Sequence, residues 1–221
     1  MTIRDFASMN TNMNFPAPLA VLGFLALFGG LGAAVLLTIT GLFVGKPRLV
    51  RWTWKVTAIA GFTYLLVLLG FSVISRERLL HRGQEKYFCE IDCHLAYSLV
   101  DVKTFPSPTP PLTEYRLTVR TRFDEKTISE DRGDSPLTPN PRTARLVDKE
   151  GRQYLPAGSS ERSFNTSLRP GETYDVSLIF DVPTDAKGLK LLITSSDWQE
   201  WLLIGDENSL LHRHTYFALS I

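Results

Sequence analysis

The sequence predicts a two-helix membrane hairpin followed by an all-β, antiparallel β-sandwich. Three observations carry this prediction: two long uncharged apolar stretches near the N-terminus, confinement of nearly all charge to the chain after Ser75, and strict two-residue alternation in segments beyond Tyr115. Whole-chain averages hide this division, because the net charge of +1 is the near-cancellation of 24 basic and 23 acidic residues. So balanced a surface has no global field to attract nucleic acid, and none is expected as a partner.

No charged residue occurs between Phe6 and Gly45, and none between Val56 and Ser75. A helix crossing the ~30 Å hydrocarbon core needs roughly 20 apolar residues, so both stretches qualify as transmembrane spans. The first is far longer than the apolar region of a cleaved signal peptide and only Arg4 precedes it, so cleavage is not expected. The expected order is a tail over 1–15, helix 1 over 16–45, a basic connection over 46–55, helix 2 over 56–75, a juxtamembrane linker over 76–88 and a β-sandwich over 89–221.

Trp52 and Trp54 precede the second span among Lys46, Arg48, Arg51 and Lys55, a composition suited to a headgroup-level turn. Two spans return the chain to its starting side, so the N-terminus and the β region share one face of the membrane. Arg4, Arg76, Arg78, Arg82 and Lys86 nearly balance the charge of the connection, but the latter packs four bases without an acid. The positive-inside tendency then puts the β region outside the cytoplasm.

Within the first span Gly29, Gly30, Gly32, Ala33 and Ala34 form small-x-x-x-small pairs, Gly29/Ala33 and Gly30/Ala34, that permit close helix approach. The partner is either the second span, through Ala60 and Gly61, or a helix of another protein. Neither span carries a charge, so a proton or ion path through this hairpin alone is not expected.

In the β region, Tyr115, Leu117, Val119 and Phe123 alternate with Arg116, Thr118, Arg120 and Arg122, the pattern of a half-buried strand. The period returns at Tyr174, Val176, Leu178 and Phe180. Shorter apolar runs at Leu189 to Ile193 and Trp201 to Ile204, and a last strand over His212 to Ile221, complete the set. Turn residues separate them, at Pro106 to Pro111, Asp148 to Gly151, Arg169-Pro170-Gly171 and Pro183 to Gly188. Short strands with frequent turns argue for two packed antiparallel sheets.

Asp148-Lys149-Glu150-Gly151-Arg152-Gln153-Tyr154, Leu168-Arg169-Pro170-Gly171-Glu172 and Phe180-Asp181-Val182-Pro183 resemble the telokin-like, immunoglobulin-like domains of unknown function found outside the membrane in many bacteria, often on lipoproteins. The resemblance covers roughly Ile91 to Ile221. It implies an immunoglobulin-like sandwich, a bacterial source and an extracytoplasmic location, here the periplasmic side of a two-pass inner-membrane protein. Two spans stand where the usual member has a lipid anchor. A long loop over Asp124 to Pro141 is also distinctive, and its Asp124, Glu130, Arg132 and Asp134 are candidate partner contacts.

Cys89-Glu90-Ile91-Asp92-Cys93-His94 admits several readings. It has one residue more than the Cys-x-x-Cys-His haem attachment motif, and Cys93-His94-Leu95-Ala96 resembles a run in cytochrome f. It shares the cysteine spacing of the copper site in cytochrome oxidase subunit II, whose following methionine it lacks. It is also a candidate disulfide or pair of buried thiols; a disulfide requires the chain to turn there, since an extended segment would hold the Cα atoms roughly 13 Å apart. His94, His212 and His214 would be the histidines available to a metal; the last two share a face of the expected final strand.

No nucleophile motif, phosphate loop or metal-protease helix occurs. Trp198 and Trp201 are expected mainly as core or strand-edge packing. The expected function is therefore that of a non-enzymatic accessory or scaffold protein, a subunit of a larger membrane complex. Its partners would be membrane lipid and other transmembrane proteins, with no cofactor and no small-molecule ligand. The alternative is a redox or metal-carrying subunit with covalent haem or metal at Cys89, Cys93 and His94.

Overall fold

The structure is a computed structural model that describes residues 9–89, 93–109, 111–128, 132–159, 163–195 and 197–219. The chain divides into two compact units. One comprises Met13–Ser75 with Trp198–His212, the other Met1–Asn12 with Arg76–Asp197 and Arg213–Ile221.

The first unit is built on two apolar helices, α1 (Ala17–Phe43) and α2 (Pro47–Ile74). Prolines stand in both first turns, where the missing N–H costs no intrahelical bond. Only Val44–Lys46 connect them, so most of the expected connection over 46–55 is helical: a proline at the first position starts a helix rather than delaying it. Gly45 supplies the positive φ of 67° and the Lys46 amide donates to the Gly41 carbonyl at 2.8 Å. Gly41 has no room for a side chain, since a Cβ there would lie 2.8 Å from Val50 Cγ2. Along α1 the face turned inward falls every seventh residue, at Ala20, Leu27, Ala34 and Gly41; Thr53, Leu68 and Ser72 are the buried positions of α2.

Both helices are long and apolar enough to cross a membrane, and only 11% and 17% of their most apolar windows is buried. Leu36, Leu42, Phe43, Ile59 and Phe62 stand open. The hydroxyls of Thr38 and Thr40 donate to the carbonyls of Ala34 and Leu36, four residues back, so neither hydroxyl hydrogen is left unsatisfied on that surface.

Among the described residues the second unit holds ten strands: β1 (Arg78–Leu80), β2 (Glu85–Phe88), β3 (Leu95–Pro106), β4 (Leu112–Phe123), β5 (Arg142–Val147), β6 (Gln153–Tyr154), β7 (Gly158–Ser159), β8 (Thr173–Pro183), β9 (Lys190–Ser195) and β10 (Thr215–Ala218). They form two five-stranded sheets, in the orders β1-β10-β9-β5-β6 and β2-β3-β4-β8-β7. All pairings are antiparallel except β1 with β10. Tyr97, Leu99, Leu117, Phe123 and Phe180 of one sheet join Leu146, Leu191, Ile193 and Phe217 of the other in a single cluster, all fully buried. Each such side chain contributes about 1.5–3 kcal/mol relative to exposure.

Four expectations are corrected. The segment 76–88 is no linker, because β1 and β2 lie within it. Lys86, counted above with the bases that follow the second span, is fully buried in β2, where its ammonium donates to the carbonyls of Ile193 (2.8 Å) and Thr215 (3.2 Å) and lies 4.7 Å from the Phe88 ring centre. Trp201–Ile204 is not a strand; a 3-10 helix over Trp198–Leu202 and successive turns occupy that stretch, and the final strand is only Thr215–Ala218.

Candidate functional site

Cys89 and Cys93 form a disulfide with Cα atoms 4.2 Å apart, between the end of β2 and the start of β3. With both sulfurs joined, neither is available for a haem thioether or as a thiolate ligand to copper. His94 is buried; its Nδ1 lies 2.7 Å from the Thr127 hydroxyl and its ring stacks on Phe123. The His94 carbonyl accepts from the Asp124 amide at 2.8 Å. His212 and His214 both precede β10, so the strand alternation that would align them does not apply. Among the described residues no group of three or more His, Cys, Asp or Glu side chains is placed to hold a metal.

The N-terminal segment reaches the same place. Asn10–Asn12 lie against β2, with the Tyr87 amide donating to the Asn10 carbonyl (2.7 Å), the Asn12 amide to the Tyr87 carbonyl (3.0 Å) and the Cys89 amide to Asn12 Oδ1 (2.8 Å). On the same strand, Glu85 and Tyr87 meet Arg122 and Asp124 from the end of β4. Arg122 makes a two-pronged ion pair with Glu85, at 2.7 Å for both contacts, and reaches the Tyr87 hydroxyl (2.8 Å) and Asp124 (3.1 Å). The Tyr87 hydroxyl donates to Asp124 at 2.7 Å.

Hydrogen bonding to Arg122 holds the Glu85 carboxyl below its ordinary range, against a smaller upward pull from burial. For Asp124 burial pulls upward most strongly, but hydrogen bonds from Arg122 and Tyr87 together outweigh it and the net shift is down. Burial and the bond to Asp124 push the Tyr87 phenol up, and Arg122 is held charged by Glu85 first and Asp124 second. Four groups that keep one another in fixed protonation states make a clamp between β2 and β4. None is poised to exchange a proton near neutral pH.

Asp124 is therefore no free loop contact: it is 5% exposed and its carboxylate is committed to Arg122, Tyr87 and the Lys126 amide. Arg132 leans over the Phe123 ring, 4.7 Å from its centre, and donates to the Ser135 carbonyl. Asp134 is exposed. Glu130 lies outside the described residues. Of the small residues on α1, Ala34 is buried, whereas Gly29, Gly30 and Ala33 are exposed. A Cβ added at Gly29, Gly30 or Gly61 would meet nothing within 4 Å, so these glycines do not knit the hairpin. The seven-residue spacing of Ala20, Ala34 and Gly41 was the better signal for the helix contact.

One surface feature escaped sequence reasoning. An open groove of about 490 Å³ has an apolar floor from Ala144, Phe164, Val176 and Leu178, and its rim includes Leu155, 67% exposed, and Ser163. It lies along two sheet margins. β6 pairs with β5 only at Leu146 and Val147, and β7 with β8 only at Leu178 and Ile179, so the rest of β5 and β8 has no strand on that side among the described residues. Sequence alternation locates strands but says nothing of where a short edge partner stops.

Two apolar helices, a two-sheet β domain, an oxidised cysteine pair and an open groove define a class, that of β-rich domains carried on an apolar two-helix segment. Within it, the family model described as a domain of unknown function (DUF4352) matches residues 128–201. That stretch contains every residue lining the groove and ends in the Trp198–Leu202 helix, and it excludes Cys89, Cys93 and β1–β4. No curated protein and no solved structure matches the chain.

Proposed function

We propose that this chain is a non-enzymatic, membrane-anchored docking subunit. Its hairpin spans the bacterial inner membrane, its immunoglobulin-like sandwich lies on the extracytoplasmic side, and it joins other transmembrane proteins in a complex. The observation that carries the reading is the pair of long apolar helices with little of their surface buried. A helix of a soluble core would hide those side chains, whereas lipid tails solvate them.

The side of the membrane is supported by the Cys89–Cys93 disulfide, which belongs to an oxidising compartment. Removal of buried Lys86 from the charge comparison also leaves Lys46, Arg48, Arg51 and Lys55, all exposed, as the denser basic cluster. The groove suits an extended segment of a partner protein. Backbone groups along β5 and β8 would supply hydrogen bonds and the apolar floor would take alternate side chains. Mild solubilisation followed by cross-linking tests the reading: defined partners should co-purify, and Leu155→Asp should reduce their recovery. A protein that emerges alone, with cross-links unchanged by Leu155→Asp, contradicts it.

A further inference from the structure

The stretch Trp198–His212 interrupts the β domain between β9 and β10, and it packs with the hairpin rather than with the sheets. The contacts are specific. The Tyr64 hydroxyl donates to the Leu202 carbonyl (2.7 Å), the Asn14 amide donates to the Gly205 carbonyl (2.9 Å), and the Ser72 and Ser209 hydroxyls lie 3.2 Å apart. Asn14 also donates through Nδ2 to the Phe71 carbonyl (2.9 Å), which belongs to the last turn of α2, where carbonyls run out of intrahelical donors. Phe15 meets Phe71 edge to face, with ring centres 4.8 Å apart.

Gly205 makes this closeness possible. It has φ 76°, and a Cβ there would fall 2.7 Å from Asn14 Oδ1 and 2.8 Å from the Phe15 nitrogen. The segment also has internal order: Asn208 donates to Glu200 and to Asp206, the Ser209 hydroxyl donates to the Asp206 carbonyl, and Asp206 and Glu207 are 1% exposed. Asp206, Glu207 and Ser209 are thus turned inward, Glu200 and Asn208 are half-buried, and Gln199 is exposed.

The segment's large apolar groups are turned outward. Trp198, Trp201, Leu210 and Leu211 are 57%, 64%, 59% and 66% exposed. Beyond Arg76 the other exposed large hydrophobics among the described residues are Leu79, Phe105 and Leu155, which are scattered. Tyr64 precedes the last helical residue, Ile74, by ten positions, which is about 15 Å of helix axis at 1.5 Å per residue. The Tyr64–Leu202 bond therefore draws the segment alongside the final turns of α2, beside the exposed Val73 and Ile74.

We propose that Trp198–Leu211 is a third membrane-contacting element, lying in the headgroup–acyl boundary of the leaflet at the Ala17/Ile74 end of the hairpin with Trp198, Trp201, Leu210 and Leu211 turned into lipid. The inference rests on the membrane-spanning reading of the hairpin. Lipid is the occupant because the exposed side chains continue the uncharged surface of two helices that already face it. Tryptophan favours that depth, where the ring is in acyl chains and the indole N–H reaches water. Irregular backbone is tolerated there where its groups find partners: the Leu202 and Gly205 carbonyls accept from Tyr64 and Asn14, and the amides of Leu203, Asp206, Ser209 and Leu210 donate to the carbonyls of Glu200, Leu203, Asp206 and Trp201.

The full chain in bilayers of lipid brominated at defined acyl positions provides the test, with fluorescence quenching as the readout. Trp52→Phe/Trp54→Phe leaves only Trp198 and Trp201 as reporters; Trp198→Phe/Trp201→Phe leaves only Trp52 and Trp54. The inference expects both pairs to be quenched by bromines near the headgroup, and Trp198/Trp201 to be shielded at least several-fold from aqueous iodide relative to the urea-unfolded chain. Quenching of Trp52/Trp54 by bromolipid with Trp198/Trp201 quenched by iodide overturns this inference and leaves the hairpin reading standing. Absence of bromolipid quenching at Trp52/Trp54 overturns the hairpin reading, and this inference with it. Tyr64→Phe gives a second readout that preserves ring volume: release of the Leu202 carbonyl should increase iodide access to Trp198/Trp201, and unchanged access contradicts the role given to that bond.

Discussion

The sheets and the helices treat apolar side chains in opposite ways. Tyr97, Leu99, Phe123 and Phe180 are completely hidden between the sheets, whereas Leu36, Leu42, Ile59 and Phe62 on the helices are each more than 60% exposed. The difference lies in the solvent each region suits. Sheets that meet water gain stability by burial, while on the membrane reading the helices gain nothing by it, because lipid tails are as apolar as leucine. The helix contact accordingly uses Ala20, Ala34 and Gly41, where small size and close approach matter.

The largest test of this contrast is a pair of truncations in the full chain. Phe180→Ala in the sheet core should cost about 3–5 kcal/mol in unfolding of the β domain, whereas Leu36→Ala on α1 should leave that unfolding unchanged. Equal effects in denaturant titration would erase the distinction. Next, Cys89→Ala/Cys93→Ala should cost about 2 kcal/mol, the loop-closure value for so short a ring. The same loss should appear on reduction of the natural chain; no shift in its Tm with reductant would contradict a structural disulfide.

Arg122→Met should cost about 2 kcal/mol by leaving Glu85 and Asp124 without their shared partner. It should also alter the pH profile. Both carboxyls ionise below their ordinary values of 4.5 and 3.8. Their contribution is therefore present above those values and is lost as pH falls through the depressed ones. Unfolding midpoints should hold steady down to about pH 5 and then drop, and Arg122→Met should flatten that drop. A smaller effect, about 1 kcal/mol or somewhat more, is expected for Gly205→Ala, which forces a side chain onto positive φ and into Asn14 and Phe15. It should increase protease cleavage around Trp201 more than it lowers the unfolding midpoint of the sheets.

How much of this was legible in the sequence follows from where the residue pattern reports burial. Uncharged length marked both helices, and alternation marked β4 and β8, because each of those segments has one buried and one open face. β3 went unread because its first five residues are buried on both faces and give no alternation. β2 was hidden by Lys86 and β5 by Arg142, charged residues at buried positions, whose placement depends on strands distant in sequence. Trp198 and Trp201 looked like core aromatics because sequence cannot tell a ring that packs inward from one that faces outward. The cysteine pair could be narrowed to a disulfide, buried thiols, haem or metal, but whether the two sulfurs meet depends on geometry that spacing does not carry.

The central claim is that the hairpin anchors an oxidised β domain outside the cytoplasm, and protease access in sealed, outer-membrane-stripped cells expressing the full chain tests it most directly. The account predicts that added protease digests the β domain without lysis while the hairpin fragment stays with the membrane. A β domain that survives until the cells are lysed, or that leaves the membrane fraction under alkaline carbonate, would contradict it.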